Sequence, residues 1–266
     1  MTTTHTSTED LLLTRDGSVA TLVLNRPDSH NAINVGMYGA LPELVAGIDA
    51  DPEVKVLVVR GAGERSFASG ADISEFERER GSAERARGYN VKVAAAERAL
   101  EGMRKPTIAM VHGYCIGGGA GLALACDLRY ADTRARFAIT PAKLGLVYSL
   151  ESTKRMVDLV GPSRAKWVLM SGLQIPAQRA LELGLFDELV EPEELEKVTY
   201  DLAQTIASRA QFSVRAGKQV VGRIVRGQVA DDEETTELRN SSFDTDDYAE
   251  GVRAFLEKRR PEFTWS

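Results

Sequence analysis

Three consecutive glycines, Gly117–Gly119, stand inside HGYCIGGGAGLALACD (residues 112–127), ahead of a run that otherwise reads as a buried helix. A glycine in a helix interior costs about 1 kcal/mol against alanine, so three in a row imply a reason. A dinucleotide fingerprint is excluded: the sixth residue is Leu122 counted from Gly117 and Leu124 counted from Gly119, where glycine or alanine is required. The phosphate-loop pattern G-x-x-x-x-G-K-[ST] is absent. Two readings remain. Backbone packs closely on backbone, or a strand–glycine–helix junction leaves amides unpaired with the helix dipole behind them. A second small-residue loop, Ser69-Gly70-Ala71-Asp72, also follows an apolar run. Two such loops at the ends of neighbouring strands could aim two amides at one oxygen that gains charge during a reaction.

The elements that must carry these loops alternate. LLLTRDGSVATLVLNRP reads as two strands around the Asp16-Gly17 turn. Asn34 is placed to cap a helix whose face carries Met37, Leu41, Leu44, Val45 and Ile48. VKVLVVRG (54–61) is a β-branched run typical of a strand covered on both sides, and KPTIAMVHG (105–113) is another, leading into the glycines. Residues 61–73 read as a long loop, the charged segment 75–90 as a solvated helix, and Val91–Met103 as a helix. CDLRYAD and ARFAIT add two short strands. Helical signals then dominate over 152–160, 162–171, 176–183, 192–209, 211–227 and 245–259. The sequence therefore reads as an α/β protein with a helical C-terminal region.

The net charge of −6 gives no basic field for nucleic acid or an anionic membrane, and no run has the length of a membrane span. The polar start, MTTTHTSTED, reads as a disordered tail over 1–9 that contains His5. Cys115 and Cys126 have neither disulfide-framework nor metal-ligand spacing and are expected as reduced core thiols of a cytoplasmic protein. No metal is implied. His112 reads as a structural histidine after a buried strand, and His30 as a turn cap.

FASGADI (67–73) followed by PTIAMVHGYCIGGGAGLALACDLRYA (106–131) resembles the crotonase, or enoyl-CoA hydratase/isomerase, superfamily. LNRPDSHNAIN (24–34), SGLQIPAQRALELGLFDELV (171–190) and YAEGVRAFLEKRRPEF (248–263) resemble it too, so the likeness runs over about residues 10–263. It implies a crotonase-like spiral of ββα units: a core over 10–200 and a C-terminal helical trimerisation region over 201–266, assembled as a homotrimer or a dimer of trimers. It implies an acyl-CoA thioester as the ligand, coenzyme A arriving with the substrate and no separate cofactor. It also implies an oxyanion hole made by the amides of Ala71 and Gly118.

By the same resemblance, Arg26 and Lys258 meet the coenzyme A phosphates. Phe255 packs on the ligand, and the backbone of Ser69, Asp72 and Ile73 lies near the adenine. The segment 75–90 covers the acyl pocket. Family hydratases use two glutamates to activate water, and here Gly121 and Pro141 occupy those places. FAITPAKLGLVY with DTDDYAEGVRAFLEKRRPEF resembles instead the methylmalonyl-CoA decarboxylase branch, in which a tyrosine placed like Tyr148 lines the reaction site. Ala71 stands where that branch can carry a histidine.

Losing CO2 from a malonyl-type thioester forms the enolate without a base, so decarboxylation is the favoured chemistry. The alternatives are a hydratase or isomerase working through other groups, Glu151 being a candidate acid–base residue, and a coenzyme A-binding protein that has lost catalysis.

Overall fold

In a computed structural model of the chain, residues 2–4 and 9–264 are described. The chain builds two sheets by visiting them alternately. The larger sheet contains β1 (Thr2–Thr4), β2 (Leu11–Asp16), β3 (Val19–Leu24), β4 (Val56–Gly61), β6 (Thr107–Val111), β8 (Leu128–Asp132) and β11 (Glu188–Val190), in that spatial order. The smaller sheet runs β10 (Ile175–Pro176), β9 (Arg136–Ala138), β7 (Tyr114–Ile116), β5 (Ser66–Ala68). β2 and β3 form the expected antiparallel hairpin, with Gly17 at φ +56° in the turn. From β3 onward the larger sheet is parallel. Each of β4, β6 and β8 is followed at once by a short strand of the smaller sheet, then by helix, which is the spiral of ββα units that the resemblance implies.

Period-2 alternation accounts for the two-sided burial of β4. Leu57 and Val59 join the main core, while Val56 and Val58 point to the opposite face and pack with Ile108, Met110, Leu195 and Ala203. That second face is covered by α7 (Leu195–Ala207). The main core is closed by α1 (Val35–Ala50), α3 (Ala83–Gly102) and α4 (Gly118–Ala125). Asn34 caps α1 as its position predicts, its side chain accepting from the Met37 amide at 2.8 Å.

Several elements differ from the sequence reading. Thr2–Thr4, expected in a disordered tail, pairs antiparallel with Leu13–Arg15 as an edge strand; the rest of that expectation, save Glu9, lies outside the described residues, as does His5. The expected loop 61–73 contains β5, whose three residues are too few to show a period. The charged segment splits into α2 (Phe76–Arg80) and the start of α3, with Ser82 capping the latter through the Arg85 amide. The two helices expected over 152–160 and 162–171 are the arms of α5 (Leu150–Ser171), separated by Gly161 at φ +78° just before Pro162. α6 (Ala177–Leu183) and α8 (Gln211–Val225) follow their patterns. α9 (Glu233–Ser241) carries almost no apolar stripe and is started instead by a capping box between Asp232 and Thr235. α10 (Asp246–Glu257) closes the chain of helices.

His112, just after β6, is 4% exposed, and its Nε2 has no partner among the described residues. Burial, reinforced by the positive Arg60 and opposed by Asp132, pushes its pKa from 6.5 down to about 4. The unfolded chain therefore binds a proton that the folded chain refuses between these values. Stability is full above about pH 6.5 and falls as the pH drops to about 4. At one pKa unit per 1.36 kcal/mol the loss is on the order of 3 kcal/mol. Denaturant titrations of His112→Gln from pH 7 to 4 should show that much less pH dependence than the parent.

Candidate active site

The two small-residue loops meet. Ala71 forms an isolated parallel bridge with Ile33, in which Ile33 donates to the Gly70 carbonyl at 2.8 Å and Asp72 donates to the Ile33 carbonyl at 3.0 Å. In such a bridge the middle residue turns its own N–H to the opposite side. Gly118 is the first residue of α4, where an amide has no intrahelical acceptor. A Cβ built on Gly118 would stand 3.5 Å from the Ala71 nitrogen, so the two amides converge on one small space. Neither donates to an acceptor among the described residues.

Each neighbouring glycine has its own reason. Gly117 sits at φ +55°, ψ −112°, with its N–H held by the Ala138 carbonyl at 2.8 Å, and this conformation turns β7 into α4. A Cβ on Gly119 would lie 2.5 Å from the Ala68 carbonyl oxygen, so here backbone does pack on backbone. Close backbone packing and an amide without an acceptor among the described residues thus occur at adjacent residues. At Gly118 the added atom would also stand 2.1 Å from the hydroxyl of Tyr38, a fully buried residue of α1.

One helical turn further, Gly121 faces a carboxylate. A Cβ there would be 2.3 Å from Oε1 of Glu97 and 3.1 Å from the Tyr148 hydroxyl. Glu97 comes from α3 and is 3% exposed. Its Oε2 accepts from Ser152 Oγ at 2.5 Å and from Arg155 Nη1 at 2.6 Å; Arg155 also binds Glu101 at 2.7 Å. Burial raises the Glu97 pKa, opposed by Ser152 and Arg155. The Tyr148 hydroxyl is buried without a partner among the described residues, and burial with the nearby Glu97 charge drives its pKa far above the usual phenol value. Tyr148 is thus a neutral phenol beside the carboxylate.

A cation stands behind Tyr38. The Tyr38 and Tyr89 rings meet edge to face at 5.7 Å, and the Arg80 guanidinium lies over Tyr89 at 3.9 Å and Phe76 at 4.2 Å. Arg80 Nε is buried without a partner, and no carboxylate among the described residues lies within ion-pair distance of Arg80.

The other expected site residues are placed as follows. Arg26 is engaged within the chain: Nη1 binds the Ala32 carbonyl at 2.7 Å and the Asp72 carboxylate at 2.7 Å, so it ties the two loops together. Asp72, its pKa lowered by Ser74 and by Arg26, also caps the turn Ile73–Glu75. Ile73 is exposed, and the Ser69 amide binds the His30 carbonyl at 3.0 Å. Glu151, in the first turn of α5, pairs with Arg98 at 3.0 Å on an exposed surface, where its charge also suits the dipole. Phe255 is exposed on α10, and Lys258 closes that helix at φ +55°. No described contact brings either residue to Ala71 or Gly118 within one chain.

The comparisons with known proteins agree with this architecture. A family model described as enoyl-CoA hydratase/isomerase matches residues 14–265. The chain belongs to the enoyl-CoA hydratase/isomerase family. The short-chain-enoyl-CoA hydratase of Clostridium acetobutylicum is 35% identical over 257 residues, covering 95% of this chain and 97% of that one. The (E)-benzylidenesuccinyl-CoA hydratase of Thauera aromatica is 35% identical over 258 residues, covering 92% and 95%. The crystal structure of an enoyl-CoA hydratase/isomerase family protein from Hyphomonas neptunium superposes with a TM-score of 0.94 at 40% identity, covering 97% of this chain and 98% of that one. The crotonase fold expected from the sequence is therefore the fold of this chain. No helix among the described residues is long and apolar enough to cross a membrane.

Sequence reasoning missed Glu97, Tyr38 and Arg80. For Glu97 a signal existed: it shares a helix face with Val93 and Leu100, four residues before and three after, so it sits on an apolar stripe.

Proposed function

We propose that this enoyl-CoA hydratase/isomerase family member binds an acyl-CoA thioester and stabilises its enolate through the amides of Ala71 and Gly118. The observation that carries the reading is the convergence of two unbonded N–H groups from separate loops on one space. An enolate oxygen holds nearly full charge, and each well-placed donor is worth about 3 kcal/mol in the transition state. A protein that only carried coenzyme A would have no use for such a pair. Backbone of Ser69, Asp72 and Ile73, together with Phe255 and Lys258 of a neighbouring subunit in a trimer or dimer of trimers, takes the coenzyme A end. Arg26, already neutralised by Asp72, contributes to that end by holding the Ala71 loop in place. The buried thiols Cys115 and Cys126 suit a cytoplasmic enzyme.

The favoured chemistry is decarboxylation of a malonyl-type ester. Its support is the neutral phenol of Tyr148, the absence of a carboxylate at Pro141, and Arg80, a cation with no acid partner among the described residues, which we assign to the substrate carboxylate. The second reading is hydration or double-bond isomerisation, favoured by the Glu97 carboxylate beside Gly121 and by the hydratase names of the relatives. Incubation with malonyl-, methylmalonyl-, ethylmalonyl- and crotonyl-CoA, followed by mass spectrometry, separates them. CO2 release with formation of the shortened acyl-CoA is the expected result. Hydration of crotonyl-CoA with no CO2 release overturns decarboxylation, and inertness toward all four, without α-proton exchange in a simple acyl-CoA, overturns the enolate reading.

Arg80→Met offers a further check. A charge-assisted hydrogen bond contributes about 1.5–3 kcal/mol, so KM for the carboxylate-bearing esters should rise about 10- to 100-fold. Exchange at the α-carbon of butyryl-CoA should be unaffected.

A further inference from the structure

We propose that Glu97 is the acid–base catalytic residue of this site, its Oε1 standing where a side chain on Gly121 would otherwise be. The proposal rests on the enolate reading above and names the group that moves the proton. A purely structural glutamate would spend both oxygens on its partners. Here Ser152 and Arg155 both bind Oε2, which fixes the carboxylate, and Oε1 accepts no hydrogen bond from a described residue. Oε1 and the Tyr148 hydroxyl both lie within 3.1 Å of the point that a Cβ on Gly121 would occupy.

Gly118 and Gly121 share one face of α4, about 4.5 Å apart along the axis at 1.5 Å per residue. With the thioester oxygen at the Gly118 amide, Oε1 of Glu97 stands one helical turn along α4, beside Gly121. The residue at position 121 is glycine because the carboxylate arrives from another helix and needs the room.

The step balances without a further reactant. In decarboxylation the bond between the α-carbon and the carboxylate breaks, CO2 leaves, and the electron pair forms the enolate. The Glu97 carboxyl gives its proton to the α-carbon and becomes a carboxylate, which water reprotonates. In a simple acyl-CoA the carboxylate takes an α-proton, the enolate forms, and a solvent deuteron returns. Burial raises the Glu97 pKa, against Ser152 and Arg155, which eases uptake of the proton it delivers. The groups facing it are Arg155, Ser152 and Tyr148 across α5 and its leading loop, Tyr38 on α1, and the more distant Glu151.

Deuterium incorporation into butyryl-CoA in D2O, read by mass spectrometry, tests this on the full chain. Glu97→Gln keeps an acceptor for Ser152 and Arg155 but cannot move the proton. Exchange should slow by at least about 100-fold, as for loss of a general acid–base group, with affinity for butyryl-CoA within about threefold of the parent. Gly121→Ala keeps Glu97 but drives a methyl to 2.3 Å from Oε1, and should slow exchange comparably. It carries the test if Glu97→Gln does not fold. Exchange in either folded variant within about threefold of the parent overturns the proposal alone. A parent protein that neither exchanges nor turns over any ester overturns the enolate reading and this proposal with it.

Discussion

Gly118→Ala in a Tyr38→Phe background is expected to fold normally and to lose about 100- to 1,000-fold in kcat/KM against Tyr38→Phe alone. The added methyl would meet the Tyr38 hydroxyl at 2.1 Å, a contact that a buried ring cannot relieve cheaply. Removing that hydroxyl leaves Cζ at 3.4 Å, an ordinary contact, so the packing penalty disappears. What remains is a methyl 3.5 Å from the Ala71 nitrogen, in the space where an oxygen must sit to reach both amides. Losing one such donor typically costs 100- to 1,000-fold in turnover, or about 2.7–4 kcal/mol. Melting curves report the packing part, and steady-state kinetics on the best ester report the chemical part. Recovery of both in the double variant would show that the space is not used by substrate.

Arg129→Ala should destabilise the fold strongly, by about 3 kcal/mol. Arg129 is 2% exposed on β8. Its Nε binds the Leu185 carbonyl at 3.0 Å, Nη1 the Cys126 carbonyl at 3.0 Å, and Nη2 the Asp187 carboxylate at 2.8 Å. The fork thus joins the end of α4 to the loop that leads into β11. Truncation strands the Leu185 and Cys126 carbonyls in the interior, while Asp187 stays in contact with solvent. Arg129→Lys keeps the charge but cannot reach three directions from one nitrogen, and should recover less than half of the loss. Denaturant unfolding at pH 7 measures both. A loss below about 1 kcal/mol for alanine would mean that water replaces the network.

How much of this was legible in the chain depends on whether the signal was local. The glycine junction, the Asp16-Gly17 turn, the Asn34 cap and the break at Gly161-Pro162 are written in neighbouring residues, and all stand in the structure. The short strands β5, β7 and β11 have three residues each, too few for alternation to declare itself. Glu97 is the instructive case. In AAAERALEG it looks like an ordinary surface charge, because its partner Arg155 is 58 residues away and only the packing of α3 on α5 brings them together. Arg26 is the opposite case. Its motif suggested a ligand contact, but its closest acid, Asp72, sits across a loop whose path no local pattern reveals.

The junction at Ala71 and Gly118 is built from main chain, and that has an evolutionary meaning. An amide is carried by every residue except proline, so sequence drift can rewrite nearly every neighbouring side chain and leave it in place. A proton-moving group enjoys no such protection and is lost with a single codon change. A lineage on this scaffold can therefore keep one half of its chemistry for free while the other half migrates among helices, and relatives that share a glycine junction need not share a reaction.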